Sequence, residues 1–282
     1  MSSRIKKPHV SVIAPFLKWA GGKRWFINNY AALLPNNYNR YIEPFLGGGS
    51  VFFHLRPKTS LLGDANPDVI AAYEGLKTNW QFLKRSLQYH QRVHSDKHYY
   101  KVRDTVPRDL LQQASRMIYL NRTCFNGIYR VNLNGKFNVP RGSKNKVLLE
   151  DDDFEGTSKL LKNANIRLAD FEILINEANK GDFVFADPPY TVRHNINGFI
   201  KYNERLFSWD DQERLAKALI RAKKRGAIIV STNANHVSVR ELYKDEGFNL
   251  QFITRFSSIS ASAKCRKQFE ELILLSHPKK NT

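Results

Sequence analysis

A short apolar segment that ends in a carboxylate and two prolines constrains the fold of this chain most strongly. Residues 183–186 read Phe-Val-Phe-Ala, and Asp187-Pro188-Pro189-Tyr190 follow directly. An unbroken apolar run is typical of a strand that is buried on both faces. Proline lacks a backbone N–H and has a fixed φ, so the proline pair ends the strand and fixes the turn that follows. The segment therefore predicts a buried strand with Asp187 at its carboxyl end.

Predicted strands alternate with predicted helices in two blocks of the sequence. The first block has helices near residues 22–34 and 49–56 and from about 66, with strands at 41–45 and 60–63. The second block has strands at 166–169, 182–186 and 227–231, helices near 171–178, 209–224 and 236–245, and two last strands at 250–256 and 269–276. Alternation of this kind predicts an α/β fold with a doubly wound, mostly parallel sheet that binds ligands at the carboxyl ends of its strands.

A glycine turn follows the first predicted strand. Residues 43–50 read Glu-Pro-Phe-Leu-Gly-Gly-Gly-Ser and lead into a helix, so the backbone of this turn can approach a ligand closely. The spacing of Gly47 and Gly49 does not fit the dinucleotide-binding pattern, because Phe52 occupies the place of its third glycine. Asp64 ends the next strand, where an acid can accept hydrogen bonds from ribose hydroxyls. The pattern indicates a cofactor pocket, with an ordinary tight turn and a helix cap as the alternative.

The turn after residue 186 carries groups suited to methylating an exocyclic amine of a nucleobase. Such an amine is a poor nucleophile because its lone pair is delocalised into the ring. If Asp187 and the carbonyl of Pro188 each accept one N–H, the nitrogen becomes more tetrahedral and its lone pair turns toward the methyl donor. Tyr190 offers a ring on which the base can stack. The alternative interpretation is a strand-ending turn without chemistry.

The charge of the chain indicates a polyanionic partner. Its 45 Lys and Arg residues outnumber 26 Asp and Glu residues, which gives a formal net charge of +19. No apolar run approaches the roughly 18 residues of a membrane-spanning helix, and there is no signal peptide, so we expect a soluble, intracellular protein without membrane contact. The two cysteines, Cys124 and Cys265, supply neither a disulfide framework nor a zinc ligand set.

The character of the sequence changes between about residues 75 and 150. Helical patterning dominates up to Leu120, and Asn134-Gly135 then lies between alternating residues, which is a strong β-hairpin signal. Aromatic, amide and arginine side chains on a hairpin rim can wedge into a duplex and contact base edges in the major groove. The alternative is that Phe125 and Phe137 are core residues and that Arg130 lies on a solvated face.

Together these features resemble the Dam family of DNA adenine-N6 methyltransferases, which use S-adenosylmethionine. The resemblance covers nearly the whole chain and rests on six segments in the family's order: Leu17–Lys23, Glu43–Gly49, Asp64 with Asn66, Asn121–Arg130 with Phe137–Pro140, Ala169–Phe171 and Asp187–Tyr190. It implies a Rossmann-like methyltransferase sheet with an inserted helical and β-hairpin target-recognition region. The implied domains are a discontinuous S-adenosylmethionine-binding catalytic domain at 10–75 and 150–278, a DNA target-recognition insertion at 76–149 with a hairpin near 130–140, and a basic N-terminal arm at 1–9.

The resemblance also implies roles for individual residues. The catalytic pocket for a flipped target adenine consists of Asp187, Pro188, Pro189 and Tyr190. The cofactor-binding residues are Trp19, Lys23, Phe45, Gly47, Gly49, Asp64, Asp170 and Phe171, where Asp64 takes the ribose hydroxyls and Asp170 the amine of the cofactor's adenine. The residues that contact target DNA are Lys18, Phe125, Asn126, Ile128, Arg130 and Pro140, of which Arg130 contacts guanine. The reaction needs no metal and no covalent intermediate.

The implied reaction transfers a methyl group from S-adenosylmethionine to the N6 amine of adenine in double-stranded DNA, with GATC as the expected site. One alternative is a restriction-modification enzyme that recognises a longer or different GAT-containing site and pairs with a restriction endonuclease. Another is a non-catalytic DNA-binding protein of the same fold. Cytosine-N4 enzymes usually carry Ser at the position of Asp187, and protein-glutamine methyltransferases usually carry Asn there. The expected location is cytoplasmic, at the bacterial nucleoid or, for a phage-encoded enzyme, in the host cytoplasm.

Overall fold

The computed structural model describes residues 13–132, 135–192, 207–256 and 268–277. Three sequence features lie outside these ranges: the basic arm at 1–9, the hairpin residue Asn134 and Cys265.

Within the described ranges, seven strands form one sheet: β1 (Tyr41–Glu43), β2 (Ser60–Asp64), β3 (Ala164–Leu168), β4 (Phe183–Ala186), β5 (Ile228–Ala234), β6 (Asn249–Phe256) and β7 (Gln268–Leu275). Their order is β3-β2-β1-β4-β5-β7-β6. The first five are parallel, and β7 runs antiparallel to both β5 and β6. The predicted α/β fold with a mostly parallel sheet is confirmed. The strand order reverses between β1 and β4, and sheets of this type bind ligands at such a switch point. Asp187 directly follows β4 there.

The helices of the described residues are α1 (Arg24–Tyr30), α2 (Ser50–Leu55), α3 (Pro67–Arg92), α4 (Asp96–Asp104), α5 (Leu110–Thr123), α6 (Phe154–Leu161), α7 (Phe171–Asn176), α8 (Trp209–Lys224) and α9 (Val237–Glu241), with 3₁₀ turns at Ala31–Leu33 and Phe125–Gly127. Helix α8 illustrates the local features that favour a helix. Ser208 and Asp211 make a capping box at its start, which satisfies backbone N–H groups that the first turn leaves open. Leu215, Leu219 and Ala222 recur on one face and are fully buried, so this face packs into the core.

The chain divides into two compact units. The first consists of Met1–Gly22, Gly48–Leu55 and Ala71–Lys162, and the second of Lys23–Gly47, Arg56–Ile70 and Asn163–Thr282. The whole sheet and α1, α7, α8 and α9 belong to the second unit. The predicted insertion at 76–149 falls within the first unit, which additionally holds α2.

Aromatic packing explains why the first unit extends beyond the predicted insertion. Phe16, Phe53 and Tyr73 form one cluster, in which the ring centroids of Phe16 lie 6.2 Å from Phe53 and 4.8 Å from Tyr73. All three side chains are buried. Burying an aromatic or large aliphatic side chain contributes about 1.5–3 kcal/mol, so residues near 16, 53 and 73 share one core despite their separation in sequence.

Candidate functional site

The turn after β4 places the Asp187 carboxylate among buried donors of the second unit. Its Oδ1 lies 2.6 Å from Nζ of Lys23 and accepts a hydrogen bond of 2.7 Å from the Thr232 hydroxyl on β5. The Lys23 side chain is 5% exposed and that of Asp187 19%. Burial raises the pKa of Asp187, and the nearby ammonium and hydroxyl oppose that shift. A buried carboxylate without a partner would tend to be protonated, and the ion pair with Lys23 stabilises the charged form of Asp187.

Tyr190 completes this group of side chains. Its hydroxyl donates a 2.8 Å hydrogen bond to Oε2 of Glu271 on β7, and Nζ of Lys23 lies 5.1 Å from the centre of its ring. Burial raises the pKa of Tyr190 well above its usual value, and the charges of Asp187 and Glu271 raise it further. The phenol is therefore protonated and acts as a donor. We call these five residues, Lys23, Asp187, Tyr190, Thr232 and Glu271, the acceptor cluster.

Sequence reasoning missed two members of the acceptor cluster. Thr232 and Glu271 lie on strands far along the chain, and their approach depends on the register of β5 with β7. One signal was present, because Glu271 is an acid immediately before the apolar run Leu272–Leu275. Lys23 was predicted beside the cofactor, and the structure pairs it with Asp187.

The glycine turn and Asp64 form a second group of side chains in the second unit. Oδ2 of Asp64 accepts the backbone N–H of Gly47 at 2.9 Å, and Oδ1 accepts that of Asn66 at 2.9 Å. Gly47 has a φ of 46°, which favours glycine at this turn. Burial raises the pKa of Asp64 to about 6, although the backbone hydrogen bonds act in the opposite direction. A carboxylate has about four lone-pair sites, and the backbone N–H groups of Gly47, Ala65 and Asn66 bond this one, so it can still accept a hydrogen bond from a ribose hydroxyl.

Phe45, Asp170 and Phe171 lie together at the start of α7. The rings of Phe45 and Phe171 stack with centroids 5.3 Å apart. Oδ1 of Asp170 caps the helix by accepting the N–H of Glu172 at 2.9 Å, and it also pairs with Arg214 at 2.8 Å. The guanidinium of Arg214 lies 4.9 Å from the Phe171 ring centre. Sequence reasoning did not include Arg214, which reaches this place from α8.

The remaining predicted cofactor residues, Trp19 and Gly49, belong to the first unit. There the Trp19 ring stacks on Tyr129 with centroids 5.5 Å apart. Lys18 is held by Asn121, whose side chain accepts from its backbone N–H at 2.9 Å and donates to its carbonyl at 2.8 Å. The Lys18 ammonium donates to the carbonyl of Asn126 at 2.6 Å.

Four of the six predicted DNA-contacting residues share one groove of the first unit. This recognition groove is lined by Phe125, Ile128, Arg130, Val139 and Pro140. Phe125 is 55% exposed, which is unusual for a large apolar side chain.

The turn beside the recognition groove has two consecutive residues in the left-handed region. Asn126 has a φ of 56° and Gly127 a φ of 63°. A Cβ at Gly127 would lie 2.6 Å from Cδ of Lys18. Non-glycine residues rarely adopt this conformation, and those that do are often found at functional sites.

The segment predicted as a hairpin shows one short antiparallel contact among its described residues. Val131 and Phe137 form an isolated bridge, and Nε of Arg130 donates to Asn138 at 3.1 Å. Phe137 is 6% exposed, so the alternative interpretation holds for this residue: it is a core side chain. Phe125 is exposed and does not follow that alternative.

Neither a metal centre nor a membrane span is evident in the described residues. Those ranges contain no group of three His, Cys, Asp or Glu side chains that could hold a metal ion. No described helix is both long and apolar enough to cross a membrane. Cys124 is a buried free thiol, and burial raises its pKa to about 11.

A family model and the related sequences place this chain in one family. The model of the D12 class N6 adenine-specific DNA methyltransferases matches residues 19–259. The Type II methyltransferase M1.LlaDCHI of Lactococcus lactis subsp. cremoris is 35% identical over 275 residues, which are 94% of this chain and 96% of that protein. The Type II methyltransferase M.MjaIII of Methanocaldococcus jannaschii is 35% identical over 289 residues, covering 94% and 99%. The DNA adenine methylase of Vibrio cholerae serotype O1 is 31% identical over 268 residues, covering 93% and 96%. The chain belongs to the D12 class of N6 adenine-specific DNA methyltransferases.

Proposed function

We propose that this enzyme methylates an adenine that is flipped out of duplex DNA, within GATC, with S-adenosylmethionine as the methyl donor. The bonding of the Asp187 carboxylate carries the proposal. Its Oδ1 already accepts from Lys23 and Thr232, and Oδ2 has no partner among the described residues. That oxygen is suited to accept one N–H of the target amine, and the carbonyl of Pro188 to accept the other.

The chemistry of the second unit's side chains fits S-adenosylmethionine, which supplies an electrophilic methyl group when bound. Asp64 is buried and bonded to backbone N–H groups, so it is a fixed acceptor for ribose hydroxyls. Oδ1 of Asp170 is engaged by Glu172 and Arg214, and its other oxygen would accept the adenine amine. Phe45, Gly47 and Phe171 would line the same site. The cofactor roles of Trp19, Lys23 and Gly49 stay predictions of the resemblance.

The recognition groove supports the proposed contact with DNA. Phe125 and Asn126 are exposed, as a wedge that replaces a flipped base would have to be. Arg130 is exposed on the same groove and can form a bidentate pair with guanine. Lys18 lies within hydrogen-bond distance of the Asn126 carbonyl, so it lies in the same region of the first unit as the residues proposed to contact the duplex around the flipped base.

Specificity and biological context extend this proposal. A relative named DNA adenine methylase supports adenine in DNA as the target, while GATC as the site comes from the resemblance of the sequence to the Dam family. Two relatives named Type II methyltransferases support the alternative of an enzyme that belongs to a restriction-modification system. A DNA substrate and a relative from Escherichia phage P1 support a cytoplasmic location, either in a bacterium or in the host of a phage.

The decisive experiment is methylation of unmethylated DNA by the purified protein and S-adenosylmethionine, followed by mapping of each modified base. We expect N6-methyladenine confined to GATC. N6-methyladenine in another context would reject the assigned site and leave the mechanism standing. Failure to modify any base, while equilibrium dialysis detects bound S-adenosylmethionine, would reject the proposed function.

A further inference from the structure

Glu271 is a buried carboxylate in a place where the fold alone does not require one. It lies on β7 opposite Ala234 of β5 and Ile253 of β6, immediately before the apolar run Leu272–Leu275. The residue is 1% exposed. Removing a carboxylate from water costs several kcal/mol unless hydrogen bonds compensate. An uncharged side chain would be less costly at this position, so the carboxylate calls for a reason other than packing.

The hydrogen bond to Tyr190 supplies such a reason. The Tyr190 hydroxyl donates to Oε2 of Glu271 at 2.8 Å. A bond from a neutral donor to an ionised acceptor is shorter and roughly twice as strong as a bond between neutral groups. The tyrosine ring is thereby held at both ends: its backbone follows a pair of prolines, and its hydroxyl is hydrogen-bonded to a strand that pairs with neighbours on both sides, β5 and β6.

We propose that Glu271 is a positioning residue for methyl transfer, which acts by fixing the plane of the Tyr190 ring on which the target base stacks. The inference rests on the proposed function, because it concerns the same target pocket. Glu271 does not touch the base. It acts through Tyr190, and its loss leaves the ring free to rotate about its side-chain torsions, so that the amine is less often aligned with the Asp187 carboxylate.

The neighbouring acid provides a matched control. Glu270 is adjacent on the same strand, is exposed, and accepts a 2.8 Å hydrogen bond from Asn235. Glu270→Gln therefore removes a charge from β7 without touching the acceptor cluster. Glu271→Gln removes the charge but keeps an oxygen that can accept from Tyr190, and Glu271→Ala removes the acceptor altogether.

The test measures single-turnover methylation of a duplex with one target site, for the parent protein, these three variants, Tyr190→Phe and the double variant Tyr190→Phe with Glu271→Ala. Glu271→Ala is expected to lower the rate about 100-fold, with affinities for DNA and cofactor unchanged within about twofold. Glu271→Gln should fall between Ala and the parent, and Glu270→Gln should match the parent. Because the two residues act as one unit, the double variant should be no slower than the slower single variant.

A spectroscopic measurement separates positioning from loss of structure. 2-Aminopurine placed at the target adenine fluoresces when it is flipped and is quenched when it stacks on an aromatic ring. Glu271→Ala and Glu271→Gln should increase its fluorescence in the complex while thermal unfolding shows folded protein. Full additivity of the rate losses in the double variant would overturn the inference, and so would parent-like rates for both Glu271 variants.

Failure of the proposed function would look different. A parent protein that binds cofactor and DNA but methylates no adenine would overturn the proposed function and this inference together. An active parent whose Glu271 variants methylate at the parent's rate would overturn only the role of Glu271.

Discussion

At the scale of single residues, the Asp187 carboxylate has two distinct oxygens. Oδ1 is saturated by Lys23 and Thr232, and this fixes the carboxylate without using the oxygen that the proposed target amine needs. A preorganised acceptor of this kind costs no rearrangement when the substrate arrives. The turn was predictable because its four residues are contiguous in the sequence.

We predict that Asp187→Ala reduces turnover by at least about 1000-fold, because the amine loses its acceptor. DNA affinity should stay within a few-fold of the parent, since phosphate contacts dominate it. Single-turnover methylation and equilibrium DNA binding measure the two effects. Asp151→Asn, at an exposed position, is the matched control and should behave as the parent. Parallel loss of turnover and DNA binding would contradict the prediction and indicate unfolding.

Thr232 allows a finer test of the same carboxylate. Thr232→Val preserves the shape of the side chain and removes the 2.7 Å hydrogen bond to Asp187. A hydrogen bond to a charged group is worth about 1.5–3 kcal/mol, so we expect a decrease in kcat of about 10- to 100-fold with an unchanged KM for DNA. Thr232→Ser restores the hydroxyl and should recover most of the rate. If Val and Ser variants were equally slow, the hydroxyl would not be the cause.

At the scale of elements, the sheet was predictable and the acceptor cluster was only partly so. β4 is recognisable because a strand buried on both faces is apolar throughout. The α-helix predicted near 22–34 is shorter in the structure. It begins at Arg24, because the backbone of Lys23 is not helical, and it ends at Tyr30, where a 3₁₀ turn over Ala31–Leu33 follows. Glu271 and Arg214 reach their partners only through strand register and helix packing. No local pattern in the sequence encodes those contacts.

The turn at Asn126–Gly127 is the element on which the recognition groove depends. Gly127→Ala would place a side chain in the left-handed region and 2.6 Å from Cδ of Lys18. Gly135 has a similar φ of 70° with open space around it, so Gly135→Ala carries only the backbone cost of about 1 kcal/mol. We expect Gly127→Ala to lower the free energy of unfolding more than Gly135→Ala, and to weaken binding to the cognate duplex. Denaturant unfolding and DNA titration measure this difference. Equal effects of the two substitutions would show that the contact with Lys18 is unimportant.

Arg130 tests the groove for sequence discrimination. Arg130→Ala removes a donor that can pair with guanine, and a bidentate pair of this kind is worth about 1–3 kcal/mol. We expect discrimination between the cognate duplex and one with that guanine replaced to fall about 10- to 100-fold, with a smaller loss of nonspecific binding. Lys136→Ala, at an exposed position of the same segment, should weaken binding to the cognate duplex and to the altered duplex by the same factor. Equal losses on cognate and random duplexes for Arg130→Ala would reject its role in sequence recognition.

At the scale of the whole molecule, buried titratable groups make stability depend on pH in opposing directions. Burial raises the pKa of Asp64 from 3.8 to about 6. Between these two pH values the folded chain binds a proton at Asp64 that the unfolded chain does not, so this group stabilises the fold more as the pH falls from 6 to 3.8. His90 behaves in the opposite way, because burial and the neighbouring His98 lower its pKa from 6.5 to about 4. A stability curve for the parent protein therefore contains both effects, and only a variant can separate them.

The surroundings of His90 identify the variant. Its Nδ1 lies 2.8 Å from Nε2 of His98 on α4, and its ring stacks on Tyr119 of α5 with centroids 4.5 Å apart. His94 forms a hydrogen bond with Tyr119 and lies beside Arg141. Burial and, to a smaller extent, the charge of Arg141 lower the pKa of His94. A positive charge on His90 would thus face two further histidines and a guanidinium. His90→Phe keeps the stacked ring and removes the titration.

The sign of the effect follows from proton binding. Between pH 6.5 and 4 the unfolded chain binds a proton at His90 that the folded chain does not, so stability is lost as the pH falls through this window. From pH 7.5 to 5 the loss due to His90 is about 2 kcal/mol. His90→Phe should therefore lose about that much less free energy of unfolding than the parent over the same interval, as measured by denaturant titration at each pH. The exposed His54 provides the control, because His54→Gln should leave the parent's pH dependence unchanged. Identical pH dependence of His90→Phe and the parent would show that His90 titrates normally in the folded protein.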